Sequence, residues 1–362
     1  MEGNWKDEIP TPALVLNYNI MEDNLRYMAD FVKETKVNLR QHIKTAKVPF
    51  VAHLQQRMAG EYAKGIAVAT VGEAEVYAQC GFDDILIANQ VVEISQIRRL
   101  MNLTKYLLVR VCVDSKKNIL DLNRFAEKYN TKLELLIDVD LGFGRTGVKP
   151  GEPTLKMAEI VRELPNLDVV GLQGYEGHLT PQTDYELRKE QTKACMSDLI
   201  ATRDLMNENG FNIDYLSTSG SGTFMFASKI PGITEIQPGT YVFSDEHVER
   251  VVPEFKPAAT VLATVQSNTA KRSFTLDAGL KAVPTGDGRP IIKNYPKSRF
   301  RVFSEEHSQF KCGLKETLEL GQKVELIPAH ICITVNLYDF IHVVKDGEYI
   351  GRWPILARGK NY

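Results

Sequence analysis

The chain has 362 residues, 43% hydrophobic and 25% charged, which is ordinary globular usage and leaves room for one domain of TIM-barrel size plus a smaller one. A formal charge of −2 excludes the basic footprint of a nucleic-acid or anionic-membrane binder. No apolar run approaches the roughly 18 residues of a membrane span, and the opening MEGNWKDEIP lacks the apolar core of a signal peptide, so a cytoplasmic protein is expected.

Apolar, β-branched strand candidates recur along the first two thirds of the chain. They fall at 13–17, 37–44, 65–70, 84–89, 106–114, 132–140, 167–176, 215–219 and 235–243. Helix-patterned stretches such as MEDNLRYMADFVKETK, SKKNILDLNRFAEKYN and GEPTLKMAEIVREL lie between them. Strand–helix alternation implies parallel strands with covering helices. A doubly wound sheet would fit, but about eight units at this spacing favour a (β/α)8 barrel. After Glu249 the pattern turns strand-rich, as in PAATVLATVQSNT and KVELIPAHICITVNLYD. The expected division is a barrel over 1–248 and a β domain over 249–362. Five scattered cysteines, Cys80, Cys112, Cys195, Cys312 and Cys332, make no disulfide framework.

Three signals carry chemistry. RQHIKTAK closes the second strand candidate, so Lys44 would stand at the catalytic end of a barrel strand, with Arg40, His42 and Lys47 as sources of positive potential. A lysine amine attacks carbonyls once burial or nearby cations lower its pKa, although a surface lysine in a basic turn would look the same. Ser219, Gly220, Ser221, Gly222 and Thr223, followed by Gly239, Thr240 and Tyr241, form two glycine- and hydroxyl-rich segments on late strand ends. Barrels often bind phosphate there. His330 and Cys332, spaced i, i+2 on a strand candidate, would point to one face and suit Zn2+. A core cysteine beside a half-buried histidine would give the same pair.

Taken together, these segments resemble the D-threonine aldolase and D-serine dehydratase family of the alanine-racemase fold. RQHIKTAK is similar to that family's lysine motif, and TPALVLNYNIMEDNLRYM, IDVDLGFGRTGVKPGE, GLQGYEGHL, STSGSGTF, EIQPGTYVF, LDAGLKA, SEEHS and HICITVNLYD follow in order over nearly the whole chain. The resemblance implies a pyridoxal 5′-phosphate (PLP) barrel followed by a β domain. It implies that Lys44 holds PLP as a Schiff base, that Arg145 lies near the phenolic oxygen and that Tyr175 lies by the pyridine ring. It also implies that 219–223 and 239–241 bind the phosphate, and that His330 and Cys332 bind a divalent metal, Zn2+ or Mn2+. Gln41, Ala46 and Ser308 depart from the family pattern, and none of them is an implied ligand. Asp277 and His307 match motif positions without an implied role.

The implied substrate is a 3-hydroxy-D-amino acid. Removal of its hydroxyl proton leads to Cα–Cβ cleavage, giving glycine and an aldehyde. Removal of its Cα proton by Lys44 leads instead to loss of the hydroxyl, giving a 2-oxo acid and ammonia. His178, just past a strand candidate in GYEGHL, is placed to take the hydroxyl proton, and this favours the D-threonine aldolase reaction. The HxC pair resembles the dehydratase version of the metal motif, so a D-serine or 3-hydroxy-D-aspartate dehydratase is the close alternative. An amino-acid racemase, which needs no metal pair, is more distant. A homodimer is implied by the resemblance.

Overall fold

The computed structural model describes residues 4–270, 273–295, 297–313 and 318–362, and these fall into two compact units. One holds Met28–Lys44, Pro49–Gly239 and Gly359–Tyr362, and the other holds the chain up to Tyr27 together with Thr45–Val48 and Thr240–Arg358. No described helix is long and apolar enough to cross a membrane.

The first strand, β1 (Ala13–Asn17), belongs to the sheet unit. The barrel comprises β2 (Asn38–His42), β3 (Ala63–Val68), β4 (Asp84–Gln90), β5 (Leu108–Val113), β6 (Leu133–Val139), β7 (Leu167–Gly174), β8 (Tyr215–Thr218) and β9 (Glu235–Ile236). All pair in parallel and β9 returns to β2, so the barrel closes and leaves no sheet edge. The expected strand at 235–243 is thus only Glu235–Ile236, and Thr240–Val242 is a 3₁₀ turn. Pro238 and Gly239 separate them: proline cannot donate a ladder hydrogen bond, and glycine weakens a strand.

Parallel strands put every C-terminal end on one face, and the opposite end carries a charged plug. Buried Arg40 donates from Nε to Glu235 at 2.9 Å and to the Tyr215 hydroxyl at 2.6 Å, and from Nη1 to Asp84 at 2.8 Å. Arg110 joins Asp84 to Glu134, both at 2.8 Å. Asp84, Tyr215 and Glu235 each begin a strand. Only glycine fits at position 65, where φ is +66 and a Cβ would stand 2.2 Å from the Asp84 carbonyl. Arg40 is therefore neutralised at the base of the barrel, which overturns its expected role as a source of positive potential for Lys44.

Above this plug the interior stays polar on one side. The registers set Asp138 beside Gln173 and Gln173 beside Ser217. Gln173 donates to Asp138 at 3.1 Å, and Gln237 donates to both Gln173 and Ser217. Ala67, Leu86, Ala88, Cys112 and Leu136 pack as an apolar cluster of the same unit.

The sheet unit adds β10 (Ala259–Ala270), β11 (Ser273–Leu276), β12 (Ile291–Ile292), β13 (Arg299–Phe303), β14 (Ser308–Lys311), β15 (Lys323–Ile327), β16 (Phe340–Lys345) and β17 (Glu348–Pro354). Its order is β13-β14-β11-β10-β1-β16-β17, and β15 pairs with both β10 and β12. β10 thus serves three neighbours, with register shifts where it turns from β15 to β11. β1 lies antiparallel to β10 (Ala13 opposite Leu262) and parallel to β16 (Val15 opposite His342). Leu14, Leu16, Val261, Leu262, Ile341 and Val343 are fully buried in this core. The domains accordingly differ from the expected 1–248 and 249–362: the first residues and 240–248 go with the sheet, because β1 finds its hydrogen-bond partners there.

Candidate active site

The loops following β2, β6, β7, β8 and β9 gather the expected residues of the barrel unit at the C-terminal strand ends, the face where barrel enzymes work. After β2 the chain turns, with the Ile43 N–H donating to Ala67 O at 2.9 Å. Lys44 is half-buried there, its Nζ 6.0 Å from the centroid of the Tyr175 ring. Lys47 is buried in the other unit, at φ +53, with its Nζ 3.4 Å from the Ala357 carbonyl. The two lysines of the motif therefore have separate surroundings, and only Lys44 faces the aromatic ring.

Tyr175 directly follows β7 and is the hub of this unit's site. The Arg145 guanidinium lies 5.4 Å from its centroid and 5.1 Å from that of Phe143. The Arg145 loop is held by carboxylates on neighbouring strand ends. Thr146 donates to Asp138 at 2.9 Å, the Gly142 and Gly144 N–H groups to Asp140 at 3.0 and 2.9 Å, and the Gly147 N–H to Asp114 at 3.1 Å. The Lys149 ammonium and then the Gly144 N–H hold Asp140 below the usual carboxylate range. His178, on the 3₁₀ turn Gly177–Leu179, is exposed. Its ring stacks on Phe143 at 6.2 Å and 24°, and a Cβ at Gly142 would approach its Cε1 to 3.5 Å.

After β8 the chain makes a tight turn through Ser219–Thr223. Ser219 adopts φ +62, a conformation that serine rarely takes. Its hydroxyl is buried and has no hydrogen-bond partner among the described residues. A Cβ at Gly220 would stand 3.2 Å from Tyr175, and one at Gly222 2.8 Å from the Thr180 carbonyl. At Gly239 a Cβ would stand 2.3 Å from His42 O. Ser221 is buried, and Thr223 is used within the turn, accepting from the Gly220 N–H at 3.3 Å. An orphaned buried hydroxyl in a glycine-walled turn, an aromatic ring face and a half-buried lysine fit PLP.

In the sheet unit the expected strand geometry of the metal pair does not hold. His330 is the N-cap of a short helix, Ile331–Val335, and the Ile331 N–H donates to buried Asp245 at 3.0 Å. The β-branched run reads as a strand, but the Asp245 carboxylate satisfies the first helical N–H. The two side chains meet even so. A hydrogen bond with Cys332 raises the His330 pKa to about 9, helped by Asp245 and Asp287, whose Oδ2 lies 3.2 Å from Nδ1. Cys332 Sγ lies 3.0 Å from the Thr45 hydroxyl and 3.7 Å from that of Thr240. Tyr241 is buried against Phe255, with ring centroids 5.3 Å apart. The described residues include no cluster of three or more His, Cys, Asp or Glu that could hold a metal, so the donor set is an imidazole–thiol pair, whose chemistry fits a borderline cation with open positions.

Sequence reasoning passed over Thr45, Asp114, Asp138, Asp140, Glu176, Asp245 and Asp287. The carboxylates flanking the glycine-rich loop, in IDVDLGFGRTG, were the available signal, since Asp and Asn commonly accept from nearby turn N–H groups. The others depend on partners far away in the chain.

A family model for the alanine racemase N-terminal domain matches residues 16–247, and one for the serine dehydratase domain matches residues 258–344. The chain belongs to the D-threonine aldolase and D-serine dehydratase family. It is 32% identical over 374 residues to the 3-hydroxy-D-aspartate aldolase of Paracoccus denitrificans (strain Pd 1222), covering 100% of this chain and 95% of that one. It is 33% identical over 362 residues to the D-threonine aldolase of an Arthrobacter species, covering 99% and 95%. The D-threonine aldolase structure from Filomicrobium marinum superposes with a TM-score of 0.93 at 31% identity, covering 98% and 97%. The fold is alanine-racemase-like, and the chain is an enzyme of the PLP-dependent lyase class to which this family's aldolases and dehydratases belong.

Proposed function

We propose that this family member cleaves 3-hydroxy-D-amino acids to glycine and an aldehyde, with Lys44 carrying PLP and His330 and Cys332 holding Zn2+ or Mn2+. When bound, PLP supplies an electron sink for a broken Cα bond and a divalent metal supplies Lewis acidity toward a hydroxyl. In this reading Lys44 holds and releases the cofactor, and Arg145 and Tyr175 orient its ring. The turn Ser219–Thr223, with Gly239, receives the phosphate through backbone N–H groups and the free Ser219 hydroxyl. Thr240 and Tyr241 support the segment that follows, through the cysteine and the core of the sheet unit.

The observation that carries the aldolase reading is His178. Its exposed imidazole is braced by Phe143 and Gly142 on the same barrel face as Lys44, suited to removing the β-hydroxyl proton. Cys332 favours a second reading, dehydration to a 2-oxo acid and ammonia, because the HxC pair resembles the dehydratase motif. Product analysis with D-threonine and D-serine separates the two. Glycine plus acetaldehyde from D-threonine supports the aldolase; 2-oxobutyrate or pyruvate plus ammonia supports the dehydratase and rejects the aldolase. A homodimer follows from the same resemblance.

A further inference from the structure

Glu176 directly follows Tyr175 at the end of β7 and is completely buried. Thr218 Oγ1, which donates to the Gly174 carbonyl at 2.7 Å, lies 3.3 Å from its Oε2, and the Thr223 hydroxyl and Ser219 N–H also face the carboxyl. These three groups lie at the entrance and the exit of a single turn, the one in which Ser219 takes its left-handed φ of +62. The dipeptide Tyr175–Glu176 therefore grips that turn from two sides, with the tyrosine ring against Gly220 and the carboxyl against Thr218, Ser219 and Thr223. A serine in this conformation persists only where its surroundings over-determine it.

We infer that Glu176 is a positioning residue for the phosphate of the cofactor: it shapes the turn 218–223 from beneath and touches no reacting atom. Burial pushes its carboxyl above the usual carboxylate range. The inference rests on the proposal that this turn takes the phosphate.

The test compares PLP with pyridoxal, which has the same ring and aldehyde but no phosphate. The full-length protein, freed of cofactor, is titrated with each aldehyde while the lysine-linked absorbance is followed. Glu176→Ala should weaken PLP binding several-fold, the usual scale for losing the hydrogen bonds that hold a turn, and leave pyridoxal affinity within about twofold. Glu176→Gln, which keeps the side-chain shape and a polar end group facing the turn, should restore most of the loss. Unchanged PLP affinity in a folded Glu176→Ala protein would overturn the inference, as would an equal loss for both aldehydes. If that variant does not fold, Thr218→Val reads the same ratio. It should lose several-fold in PLP affinity alone, and an unchanged ratio there also overturns the inference. A wild-type protein that binds PLP no more tightly than pyridoxal removes the phosphate reading itself, and Glu176's role with it.

Discussion

The hydroxyl of Thr45 lies 3.0 Å from the sulfur of Cys332, although the two are 287 residues apart in sequence. Thr45 is fully buried, and a hydroxyl directed at a thiolate spreads its charge and fixes its position. Thr45→Val should therefore lower metal affinity by about 10- to 100-fold, the usual effect of removing a partner of a metal ligand, and Thr45→Ser should retain it. Chelator competition with Zn2+ checks this. A shift of the sulfur-to-metal absorption of the Co2+-substituted protein in Thr45→Val, and not in Thr45→Ser, gives a second readout. Equal affinity in all three proteins would disprove the role.

Chelation should abolish turnover while the visible PLP absorbance persists, because His330 and Cys332 belong to the sheet unit and Lys44 to the barrel unit. Added Zn2+ or Mn2+ should restore activity. Full turnover by protein shown to be metal-free by elemental analysis would end the metal reading.

Borohydride reduction followed by peptide mapping should place the pyridoxyl group on Lys44. Lys47 is the obvious rival in the motif, but it is buried with its Nζ 3.4 Å from the Ala357 carbonyl. Lys44→Ala should lose both the label and all activity. A label on Lys47 would sink the assignment.

His178→Asn should lower aldol cleavage of D-threonine by roughly 10²- to 10⁴-fold, the usual scale of general acid–base catalysis. Exchange of the substrate α-proton with deuterium should continue, since the proposed mechanism gives that step to Lys44. Glycine formation at the wild-type rate would refute the base role of His178 and assign the hydroxyl proton to another group.

Arg40→Met should destabilise the protein by about 3–5 kcal/mol, because it leaves the fully buried Glu235 carboxylate without its charge partner. Denaturant unfolding measures the loss. At temperatures where the variant is folded, turnover and the PLP spectrum should match the wild type, since Arg40 sits at the base of the barrel. A variant of normal stability with a changed spectrum would contradict the structural role.

Most barrel strands, such as Asp84–Gln90 and Leu133–Val139, were legible as short apolar runs set off by helix-patterned sequence, and periodicity reports that directly. ALVLN at 13–17 carries the same local signal, yet it pairs with Val261 and Val343 neighbours that only tertiary contacts reveal. HICITV misled for a related reason. Its β-branched residues favour a strand, but Asp245 caps a helix there from a distant part of the chain. The motifs singled out Lys44, Arg145 and Tyr175, and the structure puts the lysine ammonium and the arginine guanidinium near the tyrosine ring. Thr45, Asp138 and Glu176 were not legible, because each meets a partner far away in the chain, and no local pattern encodes that pairing.

The placement of β1 has a consequence for biosynthesis. Nearly the whole barrel sequence separates β1 from β10 and β16, the strands that pair with it. A nascent chain on the ribosome can assemble local strand–helix units one after another, but Leu14 and Leu16 must wait, apolar and unpaired, until the last third of the protein emerges. Closing so long a loop makes this late docking slow. The segment around β1 is then the place where premature termination would leave a sticky strand edge exposed.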